Sequence, residues 1–177
     1  MQTTTYPKPT PAASHIALKR VKLFSIDVDG VLTDGGIYYT DDGNSFRKFN
    51  AKDGMGLTLL KKAHVEVAII SAGAPGAIEH RARRLGIDHV FTDVRDKLAL
   101  FKELAEGLGI DMADTAHMGD DVNDLPLMRS AGISIATSDA VQAVYAESSI
   151  VTSRRGGDAA VREVCEAILA AQGKLIE

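Results

Sequence analysis

Between Val21 and Ala171, short apolar runs of β-leaning residues alternate with stretches of helical period, and this alternation restricts the chain to very few folds. Val21 to Ile26 reads as a buried strand that stops at acids and Gly30. Ile37, Tyr38 and Tyr39 face Phe46 to Phe49 across Asp42-Gly43, a dipeptide that signals a hairpin between such runs. The period then changes: a helix carrying Met55, Leu57, Leu59 and Leu60 precedes a second buried strand, Val65 to Ile70. A helix from Pro75 to Leu85, ended by Gly86, leads to a strand at His89 to Phe91 and a helix from Asp96 to Leu108. Thr115 to Met118, Ile133 to Ala136 and Ile150 to Val151 supply further strands, separated by helices from Asp124 to Ala131 and Val141 to Ala146. A helix from Gly157 to Ala171 closes the pattern. The expected fold class is α/β, a three-layer Rossmann-like parallel sheet with a short β-hairpin flap and no large cap domain.

One domain of ordinary size accounts for the 177 residues. Residues 1–18 read as a flexible leader, because Pro7, Pro9 and Pro11 oppose both helix and sheet pairing, and residues 19–177 as the folded domain. Hydrophobic residues at 45% and charged residues at 25% give the balance of a soluble globular protein. A net charge of -4 argues against nucleic acid, which calls for clustered Lys and Arg not offset by acids, and gives no reason to expect a membrane surface as partner. The apolar runs are too short to span a bilayer, and Met1 to Ser14 lacks the apolar stretch of a secretory signal. Cys165 is the single cysteine, so no internal disulfide can form and a reducing cytoplasm is the expected location.

In open parallel sheets, ligands bind beyond the carboxyl ends of the strands, so the residues there carry the functional reading. The first strand runs into Asp27-Val28-Asp29-Gly30, with Asp27 and Asp29 two apart and able to converge on one point past the sheet edge. Two such acids repel unless a cation neutralises them. The fourth strand of the sheet runs into Gly119-Asp120-Asp121-Val122-Asn123-Asp124, so a second acidic cluster reaches the same edge. Oxygen ligands without His or Cys favour Mg²⁺ over zinc, and a magnesium ion held by few carboxylates leaves positions for a substrate phosphate. Ser71 follows the second strand and Lys97 opens the helix after the third, a hydroxyl and an ammonium suited to phosphate oxygens.

With these residues in order, DVDGVLTD, Ser71, Lys97 and GDDVND, the chain resembles the haloacid dehalogenase superfamily of phosphatases over about residues 20 to 172. The resemblance implies that Asp27 attacks phosphorus to form an aspartyl phosphate and that Asp29 acts as acid and then base. It also implies that Asp27, the Asp29 main-chain carbonyl and Asp120 ligate the metal, with Asp121 and Asp124 in the outer shell or bound through water. Within the superfamily the chain is similar to the 3-deoxy-manno-octulosonate 8-phosphate phosphatases, through DVDGVLTDGGIYY, the stretch from Phe49 to Gly54, and RGGDAAVREVCEAILAAQGK. That likeness implies a small phosphorylated sugar acid as substrate, a place on the route to lipopolysaccharide, and a homotetramer in which the hairpin of one subunit helps close the site of another. An apolar two-stranded hairpin is weak alone and wants a partner surface.

Departures from that family bear on the substrate. Ser71-Ala72-Gly73 stands where those enzymes usually show Thr-Gly-Arg, Thr92-Asp93 where they show Gln-Gly, and Asp158 where an Arg often follows Gly-Gly. Phosphatases of nonulosonate 9-phosphates, the alternative substrate class, usually carry an acid where Gly73 sits. A non-catalytic subunit retaining the fold is a further alternative, opposed by the complete set of motif acids. Candidate substrate contacts are Thr33, Asp34, Gly73, Arg81, which would reach a carboxylate across a subunit boundary, and Gly157, whose Gly-Gly turn before a helix offers main-chain donors to anions. Blander readings compete with several of these: Lys97 and Arg81 as solvated helix residues, Ser71 as a helix cap, His117 as a packed strand residue and Cys165 as core filling.

Overall fold

The computed structural model describes residues 16–174. In chain order they form β1 (Leu23–Ile26), a hairpin of β2 (Tyr38–Tyr39) and β3 (Ser45–Phe46), α1 (Ala51–Lys62), β4 (Glu66–Ile70), α2 (Ala77–Leu85) and β5 (His89–Phe91). There follow α3 (Lys97–Gly107), β6 (Thr115–Gly119), α4 (Leu125–Met128), β7 (Ile133–Ala136), α5 (Gln142–Glu147), β8 (Ile150–Val151) and α6 (Ala160–Ala171). Six strands form one parallel sheet in the order β5-β4-β1-β6-β7-β8. The chain first builds outward from β1 through β4 to β5, then returns to the other side of β1 and builds outward through β6, β7 and β8. The switch point therefore lies between β1 and β6, where such sheets open a crevice for ligand.

All four residues of β1 are buried, because helices cover the sheet on both sides. Phe24 and Ile26 join Val67, Ile69 and Met118 under α1 and α6, through Leu57, Leu60, Val164 and Ile168. Leu23 points the other way, with Ala68 and Ile70, against Phe101 and Ala105 of α3. Each of the larger of these side chains contributes about 1.5–3 kcal/mol by leaving water. Cys165 is fully buried in the first of these clusters, as core filling.

Several boundaries differ from the sequence reading. Of the expected leader, residues 1–15 lie outside the described residues; Ile16 to Leu18 are helical, and Leu18 is buried in the core. Pro75 precedes α2 instead of opening it, and the segment at 124–131 is a tight turn over Val122–Asp124 followed by the short α4. The hairpin ladder is also shorter: Tyr38 pairs with Phe46 and Tyr39 with Ser45, and pairing stops there. Arg47 and Lys48 leave it because their cations find Asp29 and Asp34, while Asn50 turns to cap α1 by accepting from the Lys52 N–H.

The C-terminal segment braces the loop after β1. Asp53 of α1 accepts from the Arg162 N–H at 2.8 Å, tying the start of α6 to α1. Just before α6, the backbone at Gly156 runs so close to the β1 loop that a Cβ there would stand 1.8 Å from the Gly30 carbonyl oxygen. Gly156→Ala must push the loop aside, and overpacking of this kind costs about 1–3 kcal/mol. Urea unfolding should show a lower midpoint at unchanged slope; an unaltered midpoint would mean that the loop yields freely.

Candidate active site

β1 and β6 end side by side, Ile26 beside Met118, and the acids that follow them meet at the switch point. Asp27, Asp120 and Asp124 each place a carboxylate oxygen within 4.8 Å of the others'. Lys97 is the first residue of α3 and almost wholly buried; its Nζ lies 3.0 Å from Asp27 Oδ1 and 2.6 Å from Asp124 Oδ1. A cation at the positive end of a helix is unfavourable, so these two acids are what hold it there. His117 Nε2 approaches the same Asp124 oxygen at 3.2 Å, and its Nδ1 meets Ser25 Oγ at 2.8 Å. Since a carboxylate only accepts, the network assigns the Nε2 proton toward Asp124.

Two carboxylates thus share one buried ammonium, and the third, Asp120, stands beside them without one. Burial works against the ionised form of Asp124, yet the hydrogen bonds and charges of His117 and Lys97 outweigh it and bring the pKa down to about 2. Asp27 is raised, chiefly by burial and then by Asp124, with Lys97 pulling the other way. Asp120 has no cation of its own: burial, with the charges of Asp27, Asp124 and Asp121, pushes it up to about 8. Its Oδ1 is buried and bonded to nothing. Gly30 lets it approach, because a Cβ at that residue would stand 2.0 Å from Asp120 Oδ2. An orphaned oxygen in an excess of negative charge, among oxygen donors only, fits a hard divalent cation such as Mg²⁺.

Above the acids opens a cleft of about 410 Å³ lined by Asp29, Ser71, Gly73, Asp121 and Asn123, among others. Ser71 accepts from the Gly73 N–H at 3.0 Å, and its loop is tied to the one after β5 by the Asp93 N–H to Gly73 carbonyl and Val94 N–H to Ser71 carbonyl bonds. Asp29 is held from the hairpin: Arg47 donates from Nε to Oδ1 at 2.8 Å and from Nη2 to Oδ2 at 3.0 Å.

Known proteins share this arrangement of fold and sequence. The family model for haloacid dehalogenase-like hydrolase matches residues 86–163. The 3-deoxy-D-manno-octulosonate 8-phosphate phosphatase of Salmonella typhi is 40% identical over 169 residues, covering 94% of this chain and 90% of its own. The chain belongs to the octulosonate 8-phosphate phosphatase family, among the haloacid dehalogenase-like hydrolases. The crystal structure of the Moraxella catarrhalis phosphatase in complex with magnesium ion, phosphate ion and a KDO molecule superposes with a TM-score of 0.90 at 38% identity, covering 93% of this chain and 94% of that one. A cobalt-bound form of the Haemophilus influenzae phosphatase gives 0.86 at 36% identity, covering 89% and 92%.

Of the residues singled out from the sequence, Asp27, Asp120, Asp124 and Lys97 converge, and Asp29, Ser71 and Gly73 line the cleft above them. Asp121 lines the cleft too but does not join the converging acids; it is exposed and accepts from its neighbour Val122 N–H at 2.6 Å. Four expected substrate contacts are engaged elsewhere. Thr33 is buried, with Oγ1 accepting from Gly30 and Gly35 N–H. Asp34 takes the Tyr38 hydroxyl at 2.7 Å and Lys48 Nζ at 3.0 Å, fixing the hairpin base. Arg81 donates to the Asn50 carbonyl and lies over the Phe49 ring. The Gly-Gly turn offers no free donors: Gly157 N–H goes to the Val31 carbonyl and Gly156 N–H to Asp139, and α6 begins only at Ala160.

The sequence reading missed Arg47 and read His117 chiefly as a packed strand residue. A His in an otherwise small and apolar strand, two residues before the acidic turn, was the available hint for His117. Its partner Ser25 is its register neighbour on β1, which appears only once the strands are paired. For Arg47 there was none beyond a basic residue close to a cluster of acids.

In the metal-free protein, Asp120 titrates at about 8 when folded and near 4 when unfolded, so the native state holds the extra proton between those values. That contribution to stability is complete below about pH 4 and is lost as pH rises through 8, and the raised Asp27 acts with the same sign. Melting temperatures in EDTA should therefore fall from about pH 5.5 to 8, whereas millimolar Mg²⁺ should flatten the decline and widen the gap at high pH. Parallel curves with and without the ion would rule out a cation among these acids.

Proposed function

We propose that this chain is a magnesium-dependent phosphomonoesterase that hydrolyses 3-deoxy-D-manno-octulosonate 8-phosphate, in the cytoplasm, on the route to lipopolysaccharide. The observation that carries the reading is the buried ion pair of Asp27 and Lys97 beside an unpartnered Asp120 at the switch point of the sheet. Likeness to phosphatases of this sugar acid over nearly the whole chain supports the substrate.

The residues divide the work as follows. Asp27 Oδ attacks phosphorus in line with the sugar oxygen, and the bond to that oxygen breaks as an aspartyl phosphate forms. Asp29 gives the departing alkoxide a proton, then removes one from the water that cleaves the acyl phosphate and restores Asp27. Lys97 Nζ, already on Asp27, balances charge gathering on the phosphoryl oxygens, and the Ser71 hydroxyl is placed to donate to one of them. Asp27, Asp120 and the Asp29 main-chain carbonyl would hold a magnesium ion, with Asp124 in the outer shell or bound through water, and the ion would supply positive charge that lets an anionic nucleophile meet a phosphate dianion. Asp27→Asn should lower turnover of an aryl phosphate by roughly 10⁴-fold or more, as expected for loss of a nucleophile, and EDTA should abolish turnover of the wild type. Undiminished hydrolysis in EDTA would exclude the mechanism; a panel of sugar phosphates ranked by kcat/KM tests the substrate.

The assembly belongs to the same reading. Ile37, Tyr39 and Phe46 of the hairpin are more than half exposed, as is Met55 at the start of α1. Tyr38 stacks on Phe46 at 5.1 Å while Ile37 and Tyr39 face the other way, so the flap is apolar on both sides. A ladder of two residue pairs with such faces is stable only against another surface, which a homotetramer supplies. Light scattering coupled to size exclusion should give four chains per particle, and a monomeric mass would overturn this assembly.

A further inference from the structure

Arg47 is the first residue past the hairpin ladder, yet its side chain is only 18% exposed, because it turns inward onto Asp29. Both oxygens of that carboxylate are taken by the fork of one guanidinium. The space it occupies exists because residue 73 has no side chain: a Cβ on Gly73 would lie 2.7 Å from Arg47 Nη2 and 2.9 Å from Asp29 Oδ2. The cleft below is lined by Asp27, Asp29, Asp120 and Asp121, and Lys97 is buried beneath it with two carboxylates already on its Nζ.

A sugar-acid phosphate brings two anionic groups into this cleft. The phosphate is met by the machinery around Asp27, but the carboxylate would face a wall of acids unless it reached a cation. Arg47 already grips a carboxylate in the bidentate geometry that planar guanidinium favours. We propose that Arg47 is the residue that reads the substrate's carboxylate. On binding, its guanidinium passes from Asp29 to the sugar acid, and the same exchange leaves Asp29 free to face the leaving oxygen. Substrates without a carboxylate must displace Arg47 with nothing to offer it, so selection and release of the acid-base residue are one event.

This inference rests on the proposed activity, and the test separates the two. Wild type, Arg47→Ala and Arg47→Lys are compared with Mg²⁺ on octulosonate 8-phosphate, a hexose 6-phosphate and an aryl phosphate. Arg47→Ala should lose about 50-fold in kcat/KM on the sugar acid, mostly through KM, and at least about tenfold less on the two phosphates that lack a carboxylate. Arg47→Lys, which keeps the charge but not the fork, should recover only part of the loss. Equal losses on all three substrates with an active wild type would overturn the role of Arg47 alone. A wild type inactive on all three would overturn the phosphatase reading and this inference with it.

Discussion

Three carboxylates, two of them buried, gathered around one buried ammonium at the meeting of β1 and β6 are the constraint on which the rest of the structure depends. Removing such charges from water is costly, and a buried pair is held only where further hydrogen bonds satisfy it. Here they do so unevenly. Asp124 is fully served by Lys97, His117 and the Asp120 N–H, whereas Asp120 keeps one oxygen with no partner. The imbalance is the physical signature of a site that binds a cation and a dianion, since a cluster selected for stability alone would have closed it with another donor.

Much of the surrounding fold serves to bring chain segments close enough for this cluster. The switch in strand order puts the ends of β1 and β6 side by side. Gly30 admits Asp120, and the turn before α6 lies against the Gly30 carbonyl. Ser25 and His117, polar residues in otherwise apolar strands, are paired across those strands and reach Asp124 from below. Each would be a liability in an ordinary core, but His117 is held between Ser25 and Asp124, and Ser25 Oγ also lies 3.4 Å from the Ala116 carbonyl.

How much of this could be read from the sequence follows from the range of the interactions involved. Strand and helix alternation is a local pattern, and acids at strand ends inherit their location from it, so the fold and the convergence of Asp27, Asp120 and Lys97 were legible. Element ends were less so, because α2, α4 and α6 start where tertiary contacts and turns allow, not where Pro75, Asp124 or Gly157 would permit. Loop polar groups at a sheet edge look free in a sequence, but Thr33 Oγ1 and the Gly157 N–H find partners within the loop after β1, and Asp34 finds Tyr38 and Lys48 on the hairpin and just past it. Arg47 was invisible for the same reason, its partner being 18 residues away across a turn. Lys48, next to it, points to Asp34 instead, and no local pattern distinguishes the two.

Chemistry and choice of substrate consequently sit on parts of unequal rigidity. Asp27, Lys97 and Asp124 are buried at the ends of central elements, where loss of one partner strands a charge at about 3–5 kcal/mol. Arg47 hangs from a ladder of two residue pairs, and its partner Asp29 is 44% exposed, so changing it removes a screened contact and leaves the core intact. Substitutions on the flap can therefore alter what meets the leaving group while the buried Asp27, Lys97 and Asp124 stay in place. The buried acids answer to the electrostatics of phosphoryl transfer, whereas the rim answers to the shape and charge of the leaving group.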